Sequence, residues 1–307
     1  MELFRSLAVL SEVPSLESEI AAAALELGSL PSRSEYTDLF EFQLYPYASV
    51  YLGDEGMMGG EARDRIAGFW RALGETPPPE PDHLTVLLAA YAELAEREAE
   101  ARDNAEDHAQ DDADGDETRS RWRHARAAFL WEHLLSWLPV YLDKLGELGS
   151  EFYRKWAGLL STALLEEATA LPCPQSARSP QAAILLPLHL REAPPLGALD
   201  DAGGDDFLRA ITTPVRTGMI LVRADLERCA RGLGLGLRKG ERRYALKSLL
   251  GQAPRETLEW LAVEADRWAT AHRNRAGSLA LISSFWRQRA ETTSTFLRES
   301  AASLEPA

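Results

Sequence analysis

Glu80-Pro81-Asp82-His83-Leu84 gathers two carboxylates and an imidazole within five residues. Trp131-Glu132-His133-Leu134-Leu135-Ser136-Trp137 again joins an acid to an imidazole, now flanked by two aromatic rings. Two kinds of chemistry are open to such groups. Histidine and carboxylate can hold a metal or move a proton, whereas a carboxylate beside aromatic walls can accept an arginine fork. A metal set drawn from Asp82, His83 and His133 has two histidines and one carboxylate, and His108, His124, His189 and His272 add no ligand-like spacing. Gly232-Leu233-Gly234-Leu235-Gly236 follows a helical pattern rather than a strand, so it reads as turn and helix termination, not as a nucleotide loop. No Gly-x-Ser-x-Gly elbow occurs, and Cys229 has no evident base partner. Recognition is favoured over catalysis. A second reading stays open, in which Asp82 caps a helix and His83 satisfies a neighbouring carbonyl.

The elements that must position these residues are helices. Thr76-Pro77-Pro78-Pro79-Glu80 is a stiff connector, and Pro81 suits the first turn of a helix. Asp82 then stands where a carboxylate meets unpaired N–H groups. Leu84, Val86, Leu87, Leu88, Tyr91 and Leu94 predict a deeply buried helix to about residue 101. Upstream, Leu16, Ile20, Ala23, Ala24 and Leu27 recur at helical spacing over 15–28, with Gly28 as the stop. Pro46 breaks the aromatic stretch 34–53, and Gly74 ends a helix over 60–73. Downstream, helices are expected over 118–145 with a kink at Pro139, and over 149–170. Four more follow: one after Asp225, one over 240–250, one from Pro254 and one over 277–298. The fold class is all-α.

The chain has 307 residues, 45% of them hydrophobic, and a formal net charge of −15. That length supports a sizeable core, and that charge disfavours nucleic acid as a partner. Residues 93–117 hold twelve Asp or Glu against Arg97 and Arg102, and 103–117 reads as a mobile acidic insertion. The aspartates there do not follow calcium-loop spacing. Residues 176–206 form a Pro/Gly-rich connector. From Pro214 to Lys247 nine Arg or Lys meet three acids, a basic patch expected to face the acidic stretch, an acidic partner or solvent. Cys173 and Cys229 allow at most one disulfide. The first residues lack a basic region followed by a long apolar run, and no apolar run reaches membrane-spanning length. The expectation is a cytoplasmic chain without stable membrane insertion.

Glu80-Pro81-Asp82-His83-Leu84 with Tyr91 and Leu94, Tyr45-Pro46-Tyr47-Ala48-Ser49-Val50-Tyr51, and Phe129 to Pro139 with His133 and Trp137 together resemble the TorD/DmsD/NarJ-type chaperones of redox-enzyme maturation. The resemblance covers about residues 30–170. It implies a compact helical bundle of the TorD-like type over residues 1–175, to which 207–307 is an added helical region. It implies a chaperone rather than an enzyme, with no cofactor of its own. Its partners would be the apo catalytic subunit of a molybdopterin-containing oxidoreductase, its twin-arginine signal peptide, or both. By the same resemblance Glu80, Asp82 and His83 belong to the peptide- or client-binding region, with Tyr45, Tyr47, His133 and Trp137 near or supporting it. Two other readings remain: a helical scaffold or regulator acting through residues 205–307, and a metal-dependent hydrolase.

Overall fold

The computed structural model describes residues 1–107, 113–171, 173, 186–197, 204–238, 240–275 and 277–304. In chain order the helices are α1 (Glu2–Val9), α2 (Leu16–Ala24), α3 (Arg33–Tyr36), α4 (Ala48–Leu52), α5 (Gly60–Ala72), α6 (Leu84–Asp107), α7 (Ala113–Phe129) and α8 (Leu138–Leu148). They continue with α9 (Glu151–Ala170), α10 (Leu188–Glu192), α11 (Gly204–Ile211), α12 (Pro214–Thr217), α13 (Arg223–Leu233), α14 (Arg242–Gln252), α15 (Pro254–Asn274) and α16 (Ala280–Ser303). Two wider, π-helical segments, Thr37–Gln43 and Leu130–Leu134, interrupt the series. Among the described residues there is no β-sheet, only an isolated bridge between Tyr47 and His83. The fold is all-α, as the periodicity predicts.

The chain divides into two compact units. One comprises Met1–Thr37, Pro46–Ala48 and Arg63–Pro187; the other comprises Asp38–Tyr45, Ser49–Ala62 and Leu188–Ala307. In the first unit α6 is central because its apolar residues fall three and four apart: Leu84, Leu87, Leu88, Tyr91 and Leu94 are all buried. Phe4 of α1 meets the Tyr91 ring edge-on at 4.9 Å, and the Trp156 indole N–H of α9 donates to the Leu7 carbonyl at 3.1 Å. Three helices are also tied by charge. Arg126 of α7 donates to Glu98 of α6 at 2.9 Å and to Glu167 of α9, and Tyr91 donates its hydroxyl proton to Glu167. Arg123 reaches Glu98 at 3.2 Å.

Helix runs into the acidic stretch 103–117 from both sides, α6 to Asp107 and α7 from Ala113. Residues 108–112 of that expectation, His108 included, lie outside the described residues, as does most of the connector over 176–206.

In the second unit α15 and α16 pair along their lengths, and α12 packs on α16. Gly218, at φ 72°, ends α12 so close to α16 that a β-carbon would stand 2.4 Å from the Ala290 nitrogen. Gly234, at φ 67°, ends α13, and the Leu235 amide reaches back to the Ala230 carbonyl at 2.8 Å. The glycine run is therefore a helix stop, as expected. The basic patch is matched largely inside its own unit. Arg223 meets Glu227, Arg228 meets Asp225 and Glu264, Arg243 meets Glu241, and Lys247 meets Asp205. Cys173 and Cys229 are free thiols, each pushed up to about 11 chiefly by burial.

Candidate peptide-binding site

Glu80-Pro81-Asp82-His83 closes a β-turn in which the His83 amide donates to the Glu80 carbonyl at 3.1 Å. Pro81 sits at the second turn position, where its fixed φ is already correct. It therefore serves a turn ahead of the helix, not the first helical turn that sequence suggested. The chain is then stapled to the tyrosine segment. The Ala48 amide donates to the Asp82 carbonyl at 3.0 Å, and the Leu84 amide donates to the Pro46 carbonyl at 2.8 Å. Tyr47 and His83 face each other across this bridge, with ring centroids 4.9 Å apart and edge-to-face.

His83 stands immediately before α6, and its Nδ1 accepts the Thr85 amide at 3.3 Å. The imidazole thereby caps the first turn of α6, and as an acceptor at Nδ1 it carries its proton on Nε2 when neutral. Burial lowers its pKa, against the opposing pull of Glu80, Glu12 and Asp82. The Tyr47 phenol is pushed up to about 12, by burial first and then by the neighbouring carboxylates of Glu80 and Asp82. These shifts report a negatively charged edge. Asp82 itself is only 2% exposed, whereas Glu80 is exposed. The outward carboxylate of this edge is thus Glu80, not Asp82.

His133 and Trp137 are brought together elsewhere in the same unit, inside its core. The π-helical turn closes where the Leu135 amide donates to the Leu130 carbonyl at 2.8 Å. His133 is buried with its ring edge-on to Phe69 and Phe129, each at 5.3 Å. The Trp137 indole N–H donates to the His133 carbonyl at 2.9 Å and its ring meets Tyr141 at 5.1 Å. Pro139 follows in the first turn of α8, where its missing N–H costs nothing. Tyr45 belongs to the other unit; it is exposed, and its carbonyl accepts the Tyr51 hydroxyl at 2.7 Å.

Sequence reasoning missed two features. Glu12, between α1 and α2, acts on His83, and Ser11 hydrogen-bonds Thr85 at 2.8 Å. Phe69, Trp70, Leu73, Leu94 and Phe129 line a narrow cleft at whose edge Arg97 is paired with Glu75 and Glu93, 2.5 Å from each. The Trp70 indole N–H there is buried without a hydrogen-bond partner. Only the apolar spacing of α5 pointed toward these rings.

His83 spends one nitrogen on the backbone, and among the described residues no three His, Cys, Asp or Glu side chains converge as a metal set. The profile of the family described as nitrate reductase delta subunit matches residues 8–143, which include both halves of the Tyr47–His83 bridge. Over that stretch the chain matches the TorD/DmsD/NarJ-like redox-enzyme maturation chaperones. Members of that family are non-catalytic maturation chaperones, and the match supports a general chaperone-type role in molybdoenzyme maturation. No curated protein matches the chain at a significant level. Among the described residues no helix is long and apolar enough to cross a membrane.

Proposed function

We propose that this chain is a cytoplasmic chaperone that binds the apo catalytic subunit of a molybdopterin-containing oxidoreductase, its twin-arginine signal peptide, or both. In this role it assists cofactor insertion and assembly before export. The observation that carries the reading is the negative, aromatic edge formed by Glu80, Tyr47 and His83 within the family-matched stretch. A guanidinium is planar and weakly hydrated, so it pairs with an exposed carboxylate and stacks on a ring at once, which an ammonium does not. Asp82, buried beneath the turn, holds that edge in place through its backbone and adds negative field. His133 and Trp137 are assigned a supporting role from the core of the same unit, and Tyr45, exposed in the other unit, is proposed as a client contact in its own right. Client capture is assigned to residues 1–175, with 176–206 as connector and 207–307 as an added helical region.

Titration of purified full-length protein with a twin-arginine peptide and its twin-lysine counterpart tests this. The arginine peptide is expected to bind about tenfold more tightly, matching the loss of one charge-assisted hydrogen bond. Equal and negligible affinity for both peptides would remove the signal-binding part. Failure to co-purify with a large apo-oxidoreductase would remove the rest.

A further inference from the structure

α2 is built with its apolar residues on the wrong side for its own fold. The residues it buries are the small ones, Ser18, Ala21 and Ala22. Leu16 is 72% exposed and Ile20 66%, and Ala23 and Ala24, one turn on, are exposed as well. Positions 16, 20 and 23/24 lie one above another on a single helix face, and Val13, 36% exposed, precedes them. A helix stabilised only by its own core would turn the leucine and isoleucine inward, since burial of large aliphatic groups is what drives helix packing. Scattered exposed apolar residues are ordinary on a protein surface; a contiguous stripe opposite a small-residue inner face is not.

The surroundings of the stripe state what covers it. From residue 6 to residue 32 the chain has Glu12, Glu17, Glu19 and Glu26 and no Lys or Arg, and all four glutamates are exposed. Two copies meeting through this face would set like charges against each other, whereas a segment both basic and apolar would satisfy rim and stripe together. The stripe also continues the edge already described. Ser11 is bonded to Thr85, Glu12 acts on His83, and Val13 is the next residue.

We propose that Val13, Leu16 and Ile20 form the apolar half of the peptide site, seating the aliphatic side chains next to the client's arginine pair while Glu80 and Glu12 hold the basic half. This rests on the peptide-binding reading above and names the segment that α2 takes. The test uses the full chain, the double variant L16Q/I20Q and two synthetic peptides. One carries Arg-Arg followed by a Leu/Ala-rich segment; the other stops before that segment. For the long peptide L16Q/I20Q is expected to lose tenfold or more in affinity, and for the short one less than twofold. Glu80→Gln is expected to weaken both. If L16Q/I20Q binds the long peptide like wild type while Glu80→Gln still weakens it, the α2 assignment is overturned and the peptide reading stands. If wild type binds neither peptide, both fall. Sedimentation run in parallel covers the remaining occupant: a dimer that L16Q/I20Q converts to monomer, with peptide affinity unchanged, assigns the stripe to a second copy and overturns the proposal. Both side chains point to solvent, so the melting temperature is expected to hold; should it drop, L16A/I20A repeats the comparison with helix propensity preserved.

Discussion

Glu80 and Asp82 are two residues apart, yet one faces water and the other is buried. That difference decides which substitution is informative. Glu80→Gln keeps shape and removes charge at an exposed position, so it is expected to weaken a twin-arginine peptide about tenfold with stability nearly unchanged, measured by titration beside thermal melts. Asp82→Ala removes a buried carboxylate, and its loss of binding would arrive together with loss of fold. A second residue prediction concerns His272 in the other unit. It is buried, its Nε2–H donates to the Gly218 carbonyl at 2.8 Å, and its Nδ1 faces the Arg275 guanidinium at 3.5 Å. Burial lowers its pKa to about 4. The folded state therefore keeps the imidazole neutral where the unfolded chain would protonate it near its ordinary value of 6.5. Stability from this group is complete above about pH 6.5 and declines as pH falls toward 4, by about 3 kcal/mol in total. Urea melts across that window should show the decline, and His272→Gln should flatten it.

At the scale of elements, α6, α7 and α9 are held by Arg126 between Glu98 and Glu167, with Tyr91 joining the group. Arg126→Leu takes their shared partner from the buried Glu98, which keeps only the more exposed Arg123, and from the half-buried Glu167, and is expected to destabilise the first unit by about 3 kcal/mol, read as a lower denaturation midpoint. Tyr91→Phe keeps the ring against Phe4 and removes one donor, so it is expected to cost about 1 kcal/mol. Gly218→Ala adds a β-carbon against the α16 backbone at a left-handed φ and is expected to cost about 2 kcal/mol or more. Helix existence was readable where large apolar residues recur three and four apart, as Leu84, Leu87, Leu88, Tyr91 and Leu94 do; α1 and the short α10, α11 and α12 were not anticipated, and α10 and the start of α11 fall inside the stretch 176–206 read as connector. The direction a helix faces was less readable. On α2 the apolar spacing of Leu16, Ile20, Ala23 and Ala24 describes a face but not what lies against it, and the buried side is the small-residue one. The wide turns at Thr37–Gln43 and Leu130–Leu134 were not readable either, because an i→i+5 bond leaves no composition signature.

For the whole molecule the governing quantity is a net charge of −15. A basic, apolar client segment is drawn to such a surface at long range, and salt screens that attraction. Raising ionic strength from about 0.05 to about 0.5 M is expected to slow peptide association severalfold while changing dissociation less, which stopped-flow fluorescence can separate. By itself the sequence determined the all-α class, the helix stops at Gly74 and Gly234, the family-like segments and the acidic character of the surface. Each of these follows from local spacing, backbone preference or simple charge counting. Only the tertiary structure decided that Glu80 rather than Asp82 faces outward, that His83 caps α6 against Tyr47, that His133 and Trp137 are core, and that α2 turns Leu16 and Ile20 to solvent. The reason is common to all four. Burial is a property of what packs against a residue from distant parts of the chain, and no local pattern encodes that partner.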